Sequence, residues 1–120
     1  MQVIDVEKEN QLIAKEYKEL LKISYQSLTK DDKKLIRLAF DTAVDAHKDQ
    51  RRKSGIPYVL HPIAVAKIVA SEIGLDATSI CAALLHDVVE DCPRYSINDI
   101  QQLFGETVAR IVNGLTKISS

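Results

Sequence analysis

"ALLHDVVEDC", residues 83–92, sets His86, Asp87, Glu90 and Asp91 into an otherwise apolar stretch, with leucines before them and valines between them. On a helix, at about 100° per residue, these polar groups fall within an arc of roughly 140°. Cys81, Ala82, Leu85, Val88 and Val89 take the opposite side. Asp87 and Asp91 are one turn apart, as are His86 and Glu90, so negative charge gathers on one face. Neighbouring carboxylates repel, and burying them unpaired costs several kcal/mol each. Such a stripe is either a solvated outer face or a ligand set. No Lys or Arg lies within it, and its short side chains are ones that hold metals. A divalent cation would relieve both the repulsion and the cost of burial. His and Asp as adjacent ligands give a mixed nitrogen and oxygen set, suited to Mn, Fe, Zn or similar ions. Glu90 and Asp91 would then be placed to handle an attacking water.

Outward from this stretch the spacing is helical and the class is all-α. No sustained alternation of apolar and polar residues is bounded by turn residues, and no Asn-Gly or Asp-Gly hairpin occurs. Residues 6–26 predict a charged, weakly amphipathic helix with Ile13, Tyr17, Leu20 and Leu21 on one side. Thr29 caps a second helix, with Asp31 and Asp32 at its positive end and a core-facing stripe of Leu35, Ile36, Ala39, Phe40, Ala43 and Val44, running to about Gln50. Gly55 and Pro57 make residues 51–60 a loop. Pro62 suits the first turn of a third helix, which stops at Gly74. Asp76 caps the helix that carries the opening stretch, and Pro93 follows its end. Ser96 and Asp99 form a capping box before a short helix ending near Gly105, and a last helix covers roughly residues 107–117.

The composition is that of one small globular domain, or of a piece of something larger. The chain has 120 residues, 46% hydrophobic and 28% charged, enough to bury a core without disulfides. A net charge of −1 supplies no global field for nucleic acid or an acidic membrane, so any anion site must be a local cluster. Cys81 and Cys92 match no zinc-ligand spacing, and Cys81 reads as a small buried hydrophobe. No signal peptide and no apolar run long enough to span a bilayer are visible, which predicts a cytoplasmic setting without membrane contact.

Two further features bear on chemistry. His61 precedes Pro62 at a helix start, where its side chain can point towards a neighbouring helix, and with the His86–Asp87 pair downstream it reads as a third ligand. His47 follows Phe40, Ala43 and Val44 on an apolar face and reads as a core histidine satisfied by hydrogen bonds. Arg51, Arg52 and Lys53 stand together before Ser54 and Gly55. They either complement the dipole of a helix C-terminus or contact a phosphate or nucleobase, since arginine forks phosphate oxygens and stacks on planar bases.

"HDVVED" at 86–91, with "RKSGIPYVLHP" at 52–62, "DAHKDQ" at 45–50 and "FGETVARIVNGLTK" at 104–117, resembles the hydrolase domain of the RelA/SpoT homologue family, within the HD phosphohydrolase superfamily. The likeness runs from about residue 35 to the end. It implies a helical HD-domain bundle that removes the 3′-pyrophosphate from guanosine tetra- and pentaphosphate with Mn²⁺, leaving GDP or GTP. It also implies that His61, His86 and Asp87 are metal ligands and that Glu90 and Asp91 orient or activate water. Arg52 would stack on guanine, with Lys53 and Ser54 in the nucleotide pocket. The expected organisation is a helical lead-in over 1–28 and an HD hydrolase domain over 29–120. That domain is expected to be C-terminally truncated, because the family's fourth ligand is an aspartate on a later helix. A truncated domain is expected to bind Mn²⁺ weakly, to be poorly active or inactive, and to be prone to self-association through exposed apolar surface. Two other readings are an HD enzyme acting on another nucleotide, and a non-catalytic HD domain that regulates an attached synthetase.

Overall fold

The computed structural model describes residues 4–24, 28–72 and 75–119, and these form seven α-helices. They are α1 (Val6–Ile23), α2 (Lys30–Ala46), α3 (Leu60–Ala70), α4 (Ala77–Leu85), α5 (Val88–Asp91), α6 (Ile97–Phe104) and α7 (Glu106–Ser119). Among the described residues the only extended pairing is an isolated antiparallel bridge between Arg51 and Pro57.

The helix starts follow side-chain chemistry. Asp5, Thr29, Asp76 and Ser96 each accept the amide three residues on, and Thr29–Asp32 and Ser96–Asp99 close full capping boxes. Gly105 ends α6 at φ 93°, a conformation that costs glycine little and other residues more.

α4 lies at the centre, packed between α2, α3 and α7. Its sequence, ATSICAALL, is small or apolar throughout, so it can be surrounded, and Ile80, Cys81, Ala82, Leu84 and Leu85 are all buried. Ala39 and Ala43 on α2 and Ala66 on α3 are fully buried too, and small side chains let neighbouring helices approach closely. α1 joins the same core through Ile13, Tyr17 and Leu20, with Tyr17 stacked on Phe40 at 4.2 Å between ring centroids.

Several expectations change. α1 ends at Ile23, and residues 25 and 26 of the expected helix lie outside the described residues, as does the predicted stop at Gly74; α3 itself ends at Ala70. α2 ends at Ala46 rather than near Gln50, because the Gln50 carbonyl accepts the Tyr58 amide at 2.9 Å and draws the chain into the bridge. The largest correction concerns the opening stretch. α4 stops at Leu85, His86 and Asp87 form a turn, and α5 begins at Val88, so the polar stripe is not one continuous helical face.

Candidate metal centre

That turn has a local cause. The Nδ1 of His86 lies 2.6 Å from the carbonyl oxygen of Ala83. In a continuing helix the same oxygen would receive the Asp87 amide, so the side chain competes with the backbone where α4 ends. A carbonyl only accepts, so Nδ1 carries a proton, and in the neutral ring Nε2 presents its lone pair. This is the orientation that an outer hydrogen bond gives to a metal-ligating histidine.

The Nε2 of His86 is 3.2 Å from Oδ2 of Asp87, and the Nε2 of His61, from the first turn of α3, is 3.9 Å from the same oxygen. The three donor atoms all lie within 4.8 Å of one another. Ligand bonds of about 2.1 Å imply donor-to-donor separations of roughly 3.0–3.4 Å, so the trio fits one ion after small inward shifts. The Tyr58 hydroxyl donates to Asp87 Oδ2 at 2.9 Å. Asp87 is mostly buried, at 14% side-chain exposure, so these bonds fix its carboxylate where bulk water would not.

The protonation tendencies follow from the packing. Burial resists ionisation of Asp87, but its bonds from His86 and Tyr58 outweigh this and hold the carboxyl below its usual range. The bond to Asp87 raises His86, whereas burial and then the Arg52 charge lower His61. Burial, followed by the Asp87 bond, pushes the Tyr58 phenol far above its ordinary range and keeps it a donor.

Glu90 and Asp91 sit exposed on α5, outside the three-donor set. The end of α5 is tied back to the segment that follows α2. The Nε2 of Gln50 donates to the Asp91 carbonyl at 3.0 Å, and the Oε1 of Gln50 is 2.6 Å from Nδ1 of His47. His47 is buried as expected, yet only partly satisfied: its Nε2 has no hydrogen-bond partner. The reason is directional, since Gln50 engages one ring nitrogen while the Tyr58 ring packs 4.8 Å away between centroids.

The basic loop divides its three cations. Backbone bonds from Tyr58 to Gln50 and from Arg52 to Ile56 close its base, and the Gly55 amide reaches the Arg52 carbonyl at 2.8 Å. Arg51 turns towards α1 and pairs with Glu9. Arg52, Lys53 and Ser54 are exposed at the tip and, with Arg51, Tyr58 and His61, line an open cleft of about 570 Å³. The cleft joins the basic loop to a member of the three-donor set.

Tyr58 and Glu9 were not singled out in the sequence. Tyr58 had a local signal, an aromatic hydroxyl three residues before His61. Glu9 had none, because its partner is 42 residues away.

An HD-domain model matches residues 39–120. The chain belongs to the HD-domain family. HD domains are metal-dependent, in keeping with the donor set. Within the family, the domain is 50% identical over 91 residues to the bifunctional (p)ppGpp synthase/hydrolase SpoT of Escherichia coli, covering 76% of this chain and 13% of that protein. It is 52% identical over 85 residues to a probable guanosine-3′,5′-bis(diphosphate) 3′-pyrophosphohydrolase of Synechocystis, covering 71% of this chain and 11% of the relative. A putative chloroplastic GTP diphosphokinase of Arabidopsis thaliana is 43% identical over 97 residues, 81% of this chain and 11% of its own length. The chain thus spans about an eighth of these relatives. No helix among the described residues is long and apolar enough to cross a membrane.

Proposed function

We propose that this domain is the Mn²⁺-dependent hydrolase part of a (p)ppGpp-metabolising protein, removing pyrophosphate from the 3′ side of guanosine tetra- or pentaphosphate. The observation that carries the reading is the cleft: Arg52, Lys53 and Ser54 line the same open space as Tyr58 and His61. A polyphosphate held at the loop would therefore extend towards the His61, His86 and Asp87 donors. The names of relatives such as the Synechocystis protein supply the substrate class.

His61, His86 and Asp87 hold the metal. The bound ion would acidify water and screen phosphate charge. Glu90 and Asp91, exposed at the adjoining helix, orient the attacking water and accept its proton. Arg52 stacks its guanidinium on the guanine or forks a phosphate, and Lys53 and Ser54 hold phosphate oxygens. Water is consumed, the ester bond at the 3′ position is hydrolysed, and GDP or GTP leaves with pyrophosphate. Tyr58 keeps Asp87 oriented by donating to Oδ2.

The test is product analysis after incubation with guanosine tetraphosphate and excess Mn²⁺. GDP and pyrophosphate in equal amounts, lost when Glu90 and Asp91 are both changed to Ala while Mn²⁺ still binds, support the reading. Release of inorganic phosphate, or cleavage on the 5′ side, contradicts it.

A further inference from the structure

Arg51 opens the basic loop and lines the cleft, yet the hydrogen bonds of its guanidinium go to the fold. Its Nη1 donates to Oε2 of Glu9 at 2.8 Å and to the Gly55 carbonyl at 2.7 Å, while Nη2 donates to Oε1 of Glu9 at 2.7 Å. The pair is a two-pronged fork, the geometry in which arginine and a carboxylate restrain each other best. Gly55 is the hinge of the tip, at φ 93°, and its amide is held by the Arg52 carbonyl at 2.8 Å. One guanidinium thus ties the tip of the loop to its own base and to α1. Glu9 lies in the first turns of α1, outside residues 39–120 that the HD-domain model matches.

We infer that Glu9 is a positioning residue for the nucleotide-gripping loop, acting through Arg51. α1 is then part of the binding site's framework and not merely a helix that precedes the domain. The nucleotide in this statement rests on the function proposed above; the ordering of the loop by Glu9 does not. With Glu9 in place, Arg51 holds the Gly55 carbonyl, and Arg52, Lys53 and Ser54 are presented together towards Tyr58 and His61. Without it, the guanidinium keeps one acceptor, and the tip loses its attachment to the helical body.

α1 has a second ionic attachment that serves as a control. Lys67 on α3 donates to Glu16 at 2.5 Å and to Glu19 at 2.8 Å, at the other half of the helix. Removing it loosens α1 without touching the loop.

The experiment compares Glu9→Gln, Arg51→Gln, the double variant and Lys67→Met in the full chain. It reads amide exchange at Gly55, affinity for guanosine tetraphosphate by calorimetry, and Mn²⁺ affinity by electron paramagnetic resonance. Expected are faster Gly55 exchange and nucleotide affinity lower by about three- to fivefold in each single variant, the range of a partly exposed ion pair. The double variant should be no worse than the weaker single, because both changes remove one interaction. Mn²⁺ affinity should stay the same. Lys67→Met should lower Tm and leave both loop readouts unchanged. Additive losses, unchanged or tighter nucleotide binding in Glu9→Gln, or equal loosening in Lys67→Met would overturn the inference. If the wild type binds no guanosine tetraphosphate while Gly55 responds as expected, the proposed ligand is wrong and the loop ordering stands. If nucleotide binds and Gly55 exchange ignores Glu9, the ordering is wrong and the ligand stands.

Discussion

The turn at His86–Asp87 and the loop tip at Arg52–Ser54 are linked through His61, which lines the cleft with the tip and shares the donor set with the turn, and the two are built in opposite ways. The turn is mostly buried, and its groups are aimed by hydrogen bonds from behind: His86 to Ala83, and Tyr58 to Asp87. The tip is exposed, and its shape is held by hydrogen bonds of its backbone and of Arg51. Groups that must meet one ion within fractions of an ångström need locked rotamers. Groups that must take hold of a flexible polyphosphate benefit from reach. On the function proposed, the difference would separate a part of the site that sets chemistry from a part that sets affinity.

The comparison makes unequal demands on different residues. His86→Ala removes a donor atom from the locked side, so metal affinity should fall by more than about a hundredfold in a Mn²⁺ titration. Nucleotide affinity without metal should barely change, and a large loss there would merge the two parts. Tyr58→Phe removes only the bond that aims Asp87, and about a tenfold loss of metal affinity is expected, with the fold intact by circular dichroism. No loss would mean that packing alone holds the carboxylate.

Arg52→Ala acts on the other side. Affinity for guanosine tetraphosphate should weaken by roughly fivefold, corresponding to about 1 kcal/mol for a charge-assisted contact at an exposed site, with metal affinity unchanged. An unchanged nucleotide affinity would return Arg52 to a helix-end role. The dependence on pH tests the locked side without a substitution. The bond to Asp87 raises His86, so in the metal-free protein the proton is held to a higher pH than a free imidazole would hold it. A metal must displace that proton, so Mn²⁺ affinity should decline as pH falls through the His86 range and level off above it, approaching about tenfold per pH unit on the acid side. A pH-independent titration would remove His86 from the ligand set.

Much of this was legible in the chain. The stripes of Ile36, Ala39, Phe40 and Ala43, and of Ile13, Tyr17 and Leu20, are buried as their spacing predicts, since burial of one helical face leaves a local periodic trace. The caps at Thr29, Asp76 and Ser96 are equally local. The meeting of His61 with His86 and Asp87 followed from residue type and motif order. The break at His86–Asp87 did not, because it depends on a side chain taking a backbone acceptor within its own helix, which periodicity does not register. The early end of α2 depends on pairing between Gln50 and Tyr58, and the Glu9–Arg51 fork on residues far apart in the chain. Residue type alone predicts a satisfied His47, because a buried polar group usually is; its orphaned Nε2 is a matter of angles.

The central claim is that the His61, His86 and Asp87 donors and the basic loop act on one substrate in one orientation, with the 3′-diphosphate at the metal. Phosphorus resonance of guanosine tetraphosphate, bound to the protein with a small amount of Mn²⁺, tests this most directly. The account predicts that the 3′-diphosphate signals broaden more strongly than the 5′-diphosphate signals, and that this difference disappears in His86→Ala. Equal broadening of both groups, or a difference that survives His86→Ala, would contradict it.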